Sequence, residues 1–295
     1  MNPTWLDREL FPYTHKRLEL DGHDLAYVDE GEGPPLLMLH GNPTWSFLYR
    51  DVIAALRGHF RCIAPDLPGF GLSTAADGFG FRPAEHADVI ERFIGELGLQ
   101  DITLMVHDWG GPIGLGVAGR RPELFSALVL TNTSAWPANG DLRIELVSRL
   151  IGGPIGRLAI TDGNAFVNLM IPAGIRRGGP SSAVMAAYRG PFAKRGDRYP
   201  TYVFPREILK SRAFLAEVEA GLPLLRDLPA LIVWGDRDFA FGDKERTRFE
   251  ELFPEHRTVV LEGAGHFIAE DAAPEIVEAV KDWAADRTPR AREAP

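Results

Sequence analysis

The stretch "LMVHDWGG", residues 104–111, ends an apolar run with a carboxylate. Asp108 is followed by one tryptophan and then by Gly110 and Gly111. A residue between a buried strand and a helix, with glycines close behind it, sits on a tight turn that exposes its side chain, as the nucleophile does on a strand-to-helix elbow. Asp is also a frequent helix N-cap. Asp108 is therefore either a helix cap or an attacking group.

An aspartate nucleophile suits one kind of target, an electrophilic saturated carbon. A serine that attacked such a carbon would form an ether, whereas a carboxylate forms an alkyl ester that water can hydrolyse. The hydrolysis step needs a general base and donors for the oxyanion. If Asp108 attacks carbon, the chain must also supply a base, a group that orients the base, and N–H donors.

Candidates for the base and for the acid that orients it lie late in the chain. His266 stands in the small-residue loop of "LEGAGHFIAED", between a predicted strand and a predicted helix. Asp236 and Asp238 follow the preceding strand. We favour Asp238 as the partner of His266 and expect the other carboxylate to serve in the turn, since Asp beside Gly often does. The order of nucleophile, acid and base matches that of α/β-hydrolases.

Two neutral side chains supply N–H donors near the same point. Asn42 begins the loop after the apolar run "LLMLH", and Trp109 directly follows Asp108. Their backbone amides would form the oxyanion hole of an α/β-hydrolase. The Asn42 amide and the Trp109 indole could also hold a departing anion without pairing with the nucleophile. A turn role for Asn42 and core packing for Trp109 are the simpler alternatives.

The elements that must position these residues alternate along the chain. Short apolar runs alternate with amphipathic stretches, which predicts a mostly parallel, eight-stranded sheet flanked by helices. "KRLELDG" and "HDLAYVDEG" alternate polar and apolar residues around a glycine turn, as an antiparallel edge hairpin does. Together with the order of nucleophile, acid and base, this arrangement predicts the α/β-hydrolase fold.

The alternation of predicted strands and helices stops after the sixth strand. There the chain is rich in Gly and Pro, and its apolar residues form helical patches without strand runs between them. We interpret this region as an inserted helical cap. Its apolar residues Phe166, Met170, Phe192 and Phe204 should mostly pack in the core, while some of them line the roof of a cavity. The predicted organisation is a core of residues 1–134 and 226–286, a cap of residues 135–225, and a disordered tail of residues 287–295.

Composition narrows the class of protein. The 295 residues, 45% of them hydrophobic, suffice for one large α/β domain with an insertion. A net charge of −9 argues against a nucleic-acid partner. The chain shows neither a signal peptide nor an apolar run long enough to span a membrane, and the single Cys62 fits a reducing compartment, so we expect a cytoplasmic protein. Dinucleotide loops, Walker loops and metal-ligand spacings are missing, so no cofactor or metal is expected.

The motifs together resemble those of the haloalkane dehalogenases of the α/β-hydrolase superfamily. "HGNPTWSFLYR", "VHDWGGPIG", "WGDRDFAF" and "GAGHFIAED" carry the similarity, and "YRGPF" and "FPREI" extend it through the cap. The resemblance implies a hydrolase that converts a small apolar haloalkane and water into a primary alcohol, halide and a proton. Asp108 would displace halide through an alkyl-ester intermediate, and His266 would activate water. Asn42 and Trp109 would bind the halide.

The same resemblance also concerns the acid that orients His266. This acid is the third member of a catalytic triad with Asp108 and His266. Members of this family place the acid after either the sixth or the seventh strand. The sixth strand here ends in Asn132 and Thr133, with no carboxylate. The family pattern therefore also points to Asp238.

Three alternatives stay open. β-Lactone decarboxylases of olefin biosynthesis also use Asp and His, and the same donors would hold their departing carboxylate. Epoxide hydrolases need phenols from the cap, for which Tyr188, Tyr199 and Tyr202 are candidates. A ligand receptor on the same scaffold would normally have lost part of the triad.

Overall fold

The computed structural model describes residues 3–138 and 142–287, so the predicted tail from residue 288 onward lies outside the described residues. A single eight-stranded sheet, in the order β1-β2-β4-β3-β5-β6-β7-β8, forms the centre of the fold. Its strands are β1 (Lys16–Leu20), β2 (His23–Glu30), β3 (Pro35–Leu39), β4 (Arg61–Pro65), β5 (Ile102–Asp108), β6 (Phe125–Thr133), β7 (Ala230–Gly235) and β8 (His256–Leu261).

The sheet is antiparallel only at its first edge. β2 pairs antiparallel with both β1 and β4, and every later pair is parallel. Every residue of β5 and β7 is buried, as strands covered on both faces require. The predicted edge hairpin and the predicted mostly parallel sheet are both confirmed.

Helices cover the sheet and fill the segment between β6 and β7. Those that belong with the sheet are α1 (Arg50–Leu56), α2 (Pro83–Glu96), α3 (Gly110–Arg120), α10 (Asp243–Leu252), α11 (Ile268–Asp271) and α12 (Ala273–Asp286). Those between β6 and β7 are α4 (Leu142–Ile151), α5 (Pro154–Gly163), α6 (Ala165–Gly174), α7 (Ser182–Arg189), α8 (Tyr199–Lys210) and α9 (Arg212–Gly221). None of the helices in these described parts of the chain is long and apolar enough to cross a membrane.

The six helices α4 to α9 are here called the cap segment, residues 142–221. They lie after the sixth strand, where the sequence predicts an insertion, and the described part of that segment contains helices but no strand. The boundaries at residues 135 and 225 stay a prediction. α3 anchors the cap segment to the sheet, since α9 packs directly against it.

The parallel strands place the candidate residues at one edge of the sheet. Asn42 follows β3, Asp108 ends β5, Asn132 lies near the end of β6, Asp238 follows β7 and His266 follows β8. The carboxyl ends of parallel strands meet at a common edge, so residues far apart in sequence converge there.

Candidate active site

Asp108 sits on a strained turn at the end of β5. Its φ is 49°, in the left-handed region that a residue other than glycine rarely adopts. The two following glycines let α3 pass close to the sheet, because a Cβ at Gly110 would lie 2.0 Å from the Leu39 carbonyl oxygen and one at Gly111 would lie 1.8 Å from Thr133 Oγ1. α3 has no side-chain cap, and Trp109 stands at its N-cap position. The helix-cap interpretation of Asp108 is therefore wrong.

The Asp108 carboxylate is buried and held by backbone amides. The backbone N–H of Asn42 donates to its Oδ1 at 2.7 Å. Burial raises the pKa of Asp108 above its ordinary value, while the nearby His266 and hydrogen bonds from the backbone N–H groups of Trp109 and Asn42 lower it in part. The two amides predicted for an oxyanion hole thus both face this carboxyl group.

His266 lies between two carboxylates. Its Nδ1 is 2.9 Å from Oδ2 of Asp238, and its Nε2 is 3.7 Å from Oδ2 of Asp108. All three side chains are nearly inaccessible to solvent. Burial lowers the pKa of His266, but the charge of Asp238 and its hydrogen bond, with a contribution from Asp108, outweigh burial and raise that pKa above its ordinary value. The structure therefore brings the three residues predicted as a triad into one chain of contacts.

The two late carboxylates have different partners. Asp236 accepts the backbone N–H of Gly263 at 2.6 Å, which ties the turn after β7 to the turn after β8. Asp238 instead faces His266, and its Oδ1 accepts the backbone N–H of Ala240 at 2.7 Å. The geometry thus agrees with the choice of Asp238 over Asp236 as the partner of His266.

Asn132 holds Asp238 in place and has no role in the sequence-based prediction. Its Nδ2 donates to Asp238 Oδ2 at 2.9 Å and to the Gly235 carbonyl at 3.2 Å, while its Oδ1 accepts the Gly235 N–H at 2.8 Å. The side chain thus fastens the end of β6 to the end of β7 and donates to the oxygen that also faces His266. The absence of a carboxylate after β6 is the only signal in the sequence that concerns this position.

Asp271 is a second residue that sequence reasoning missed. Its carboxylate accepts three backbone N–H groups, from Gly265 at 2.7 Å and from Arg176 and Arg177 at 2.7–3.0 Å. Gly265 precedes His266, and the two arginines follow the cap helix α6. A single carboxylate therefore ties the His266 loop to the cap segment.

The two side-chain donors lie beside Asp108. The Asn42 amide is buried, and its Nδ2 donates one hydrogen to the Thr201 carbonyl at 3.3 Å, which leaves its second hydrogen for the cavity. The Trp109 indole packs on Phe204 with ring centroids 5.3 Å apart, and its N–H donates to no described residue. Both side chains line the cavity next to the carboxylate.

A cavity of about 440 Å³ opens above Asp108. Asn42, Asp108, Trp109 and His266 line it, and so do Ser134 and four charged residues, Glu219, Lys244, Glu245 and Arg248. The cap segment supplies an apolar roof that includes Val147, Ile151, Phe166, Met170, Ile208 and Leu215. Of the four cap residues predicted as candidates for the roof, Phe166 and Met170 contact the cavity, whereas Phe192 and Phe204 are fully buried in the core.

Comparison with known proteins agrees with this geometry. Residues 34–273 match the family described as the alpha/beta hydrolase fold. The chain is 44% identical to haloalkane dehalogenase 2 of Mycobacterium tuberculosis over 276 residues, which cover 93% of this chain and 96% of that relative. This chain belongs to the haloalkane dehalogenase family. The predicted family and the predicted fold are thereby confirmed.

Other members and neighbours of the family extend the comparison. The crystal structure of haloalkane dehalogenase DbeA from Bradyrhizobium elkani superposes with a TM-score of 0.85 at 30% identity, covering 92% of this chain and 97% of that one. A cis-3-alkyl-4-alkyloxetan-2-one decarboxylase of Shewanella oneidensis is 33% identical, over 93% of this chain and 89% of that relative. The chain is thus also similar, over most of its length, to a protein named as an oxetan-2-one decarboxylase.

Proposed function

We propose that this chain is a haloalkane dehalogenase that hydrolyses the carbon–halogen bond of small or medium apolar haloalkanes. Asp108 attacks the carbon that bears the halogen, a C–O bond forms as the C–halogen bond breaks, and the electron pair leaves with the halide. Asn42 Nδ2 and Trp109 Nε1 donate to the departing anion. The Asn42 backbone N–H donates to Oδ1 of Asp108, so we assign the attack to Oδ2, the oxygen nearer to His266 Nε2.

Water completes the reaction in a second step. His266 takes a proton from water through Nε2, and the hydroxide attacks the carboxyl carbon of the Asp108 ester. The backbone N–H groups of Asn42 and Trp109 stabilise the tetrahedral oxyanion, which collapses to the carboxylate and the alcohol. Asp238 stabilises the imidazolium until its proton leaves for solvent. Alcohol, halide and one proton are the products, and no cofactor takes part.

One observation carries this proposal. A buried carboxylate, two neutral N–H side chains and an imidazole converge in a cavity whose lining is mostly apolar. Neutral donors beside a nucleophilic carboxylate stabilise a new anion without neutralising the attacking group. The cavity volume lies in the range of roughly 300–1,000 Å³ that is typical of small-molecule sites.

The contacts of the cap tyrosines argue against an epoxide hydrolase. Tyr188 donates to the Glu270 carboxylate, and Tyr202 donates to the Gly152 carbonyl at 2.9 Å. Neither of them nor Tyr199 is among the described residues that line the cavity. A phenol that could protonate an epoxide oxygen is thus missing from the described wall of the site.

The β-lactone decarboxylase activity is the second candidate, supported by the 33% identical relative. A substrate panel separates the two. Purified enzyme is supplied with 1-bromoalkanes of increasing length and with a cis-dialkyl β-lactone, while bromide and carbon dioxide are measured. Bromide release at a catalytic rate, with little decarboxylation, is the expected result. Decarboxylation without bromide release would overturn the proposal in favour of the lactone activity.

A further inference from the structure

Two neighbouring cap helices expose large apolar side chains to solvent. Leu142, Leu146 and Leu150 recur every four residues along one face of α4, and Ile155 and Leu158 lie three residues apart on α5. These five residues, here called the apolar stripe, are 58% to 84% exposed. α5 packs against α4, so the exposed residues lie on two neighbouring helices. Single exposed leucines are ordinary, but a row of them marks an interaction surface.

Cations without acidic partners flank the stripe. Arg157 lies beside Leu158 on α5, and Arg206 packs against Gly152 at the junction of α4 and α5. The two guanidinium groups lie 5.9 Å and 5.1 Å from the centroid of the Tyr202 ring, and neither forms an ion pair with a described residue. The junction therefore presents positive charge next to exposed apolar surface.

The cap region of the sequence is basic, whereas the rest of the chain is acidic. Residues 135–225 contain 12 Lys and Arg against 7 Asp and Glu, a net charge of +5. The rest of the chain contains 20 basic and 34 acidic residues, a net charge of −14. The basic charge is thus concentrated in the segment that carries the apolar stripe.

We propose that the apolar stripe is a docking surface for an anionic phospholipid bilayer. Exposed leucines with adjacent arginines are the combination by which a helix lies in a membrane interface without crossing it. The leucines enter the boundary between headgroups and acyl chains, and Arg157 and Arg206 contact the lipid phosphates. This assignment does not depend on the proposed function.

The charge distribution favours lipid over a second copy of the chain. Two stripes packed face to face would bring together two segments of net charge +5, which repel each other. An anionic surface attracts the same segment. Val147 and Ile151 on α4 line the cavity, so the stripe also borders the roof through which an apolar substrate dissolved in lipid would pass.

Vesicle flotation tests the proposal with the full chain. The protein is mixed either with phosphatidylcholine vesicles or with vesicles that also contain phosphatidylglycerol, at low and at high salt. We expect flotation with the anionic vesicles, little with the neutral ones, and a decrease as salt screens the charges. Equal flotation with the anionic and the neutral vesicles, or flotation with neither, would overturn the proposal.

Two variants and a matched control locate the surface. Leu146→Ser, Leu150→Ser and Leu158→Ser are combined in one variant, and Arg157→Glu and Arg206→Glu in another. Each variant should weaken vesicle binding by roughly tenfold or more. For the arginine variant, the reason is that one basic residue near an anionic surface contributes about fivefold. Leu224→Ser with Arg226→Glu changes an equally exposed pair outside the stripe and should bind like the native protein.

Circular dichroism confirms that the variants are folded, and light scattering gives the mass of the lipid-free protein. The proposal holds if folded stripe variants lose binding while the control variant keeps it. Native binding by the stripe variants would contradict it. A lipid-free oligomer that the leucine substitutions dissociate would show that a second copy occupies the stripe, which also overturns the proposal.

Discussion

His266 Nε2 lies 3.7 Å from Oδ2 of Asp108, beyond the length of a hydrogen bond. The opposite nitrogen of the same ring is 2.9 Å from Oδ2 of Asp238. The imidazole is thus fixed by Asp238 while its other nitrogen faces the carboxylate without pairing with it. This asymmetry fits a base that acts on water near an ester of Asp108.

Asp108→Ala should abolish turnover. The variant has no group that can form the alkyl ester, and we expect kcat for bromide release to fall by at least about a thousandfold. Bromide release from 1-bromobutane measures this directly. Turnover that survived at a tenth of the native rate would rule out covalent catalysis by Asp108.

The pH dependence should report on the His266–Asp238 pair. Neutral His266 is the base, so the rate of ester hydrolysis should rise with pH through the pKa of His266, which Asp238 raises against the effect of burial. Asp238→Asn removes the raising interaction and leaves the lowering effect of burial. The acidic limb of the pH–rate profile of Asp238→Asn should therefore move to lower pH, while the maximal rate falls by roughly a thousandfold or more.

Asp236→Asn is the matched control for this experiment, because Asp236 belongs to the same turn and bonds Gly263 rather than His266. Its acidic limb should coincide with that of the native enzyme. Equal shifts in Asp236→Asn and Asp238→Asn would show that the turn as a whole, and not the Asp238 carboxylate, sets the pKa of His266.

Removal of one anion donor should weaken halide binding and slow the first step. Asn42→Ala and Trp109→Phe each remove one side-chain donor group from the cavity, and we expect kcat/KM to fall by about a hundredfold to a thousandfold. The inhibition constant for added bromide should rise in both variants. Phe166→Leu changes the cavity roof without touching a donor, so it should alter KM and leave bromide inhibition as it was.

Asp271→Ala should loosen the His266 loop. Three backbone N–H groups lose their acceptor, and the free energy of unfolding should fall by about 1 kcal/mol, with a lower kcat and unchanged inhibition by bromide. Asp271→Asn keeps one acceptor oxygen and should recover part of kcat. Asp282→Ala, an exposed acid on α12, serves as the control for urea unfolding and for kinetics. A bromide inhibition constant that changed with Asp271 would contradict a role confined to the His266 loop.

Much of the fold could be predicted because its signals are local. Apolar runs bounded by Gly and Pro mark the strands, and the tight turn predicted at Asp108 lies between β5 and α3. The positions of Asp108, Asp238 and His266 follow because parallel strands deliver their carboxyl ends to one edge.

What could not be predicted depends on contacts between distant parts of the chain. Asn132 reaches Asp238 only because β6 and β7 are in a particular register, and Asp271 meets Arg176 only because the cap segment packs on the His266 loop. Periodicity identifies Phe166 and Phe204 equally as apolar, but the rotation of each helix decides that one lines the cavity and the other fills the core.

Intact-protein mass spectrometry of His266→Phe tests the central claim most directly. The variant keeps the nucleophile and both anion donors but lacks the base, so incubation with a 1-bromoalkane should add the mass of one alkyl group, release one bromide per chain, and place the adduct on Asp108 by peptide mapping. A variant that acquired no adduct, or carried it on a residue other than Asp108, would contradict the aspartyl-ester mechanism.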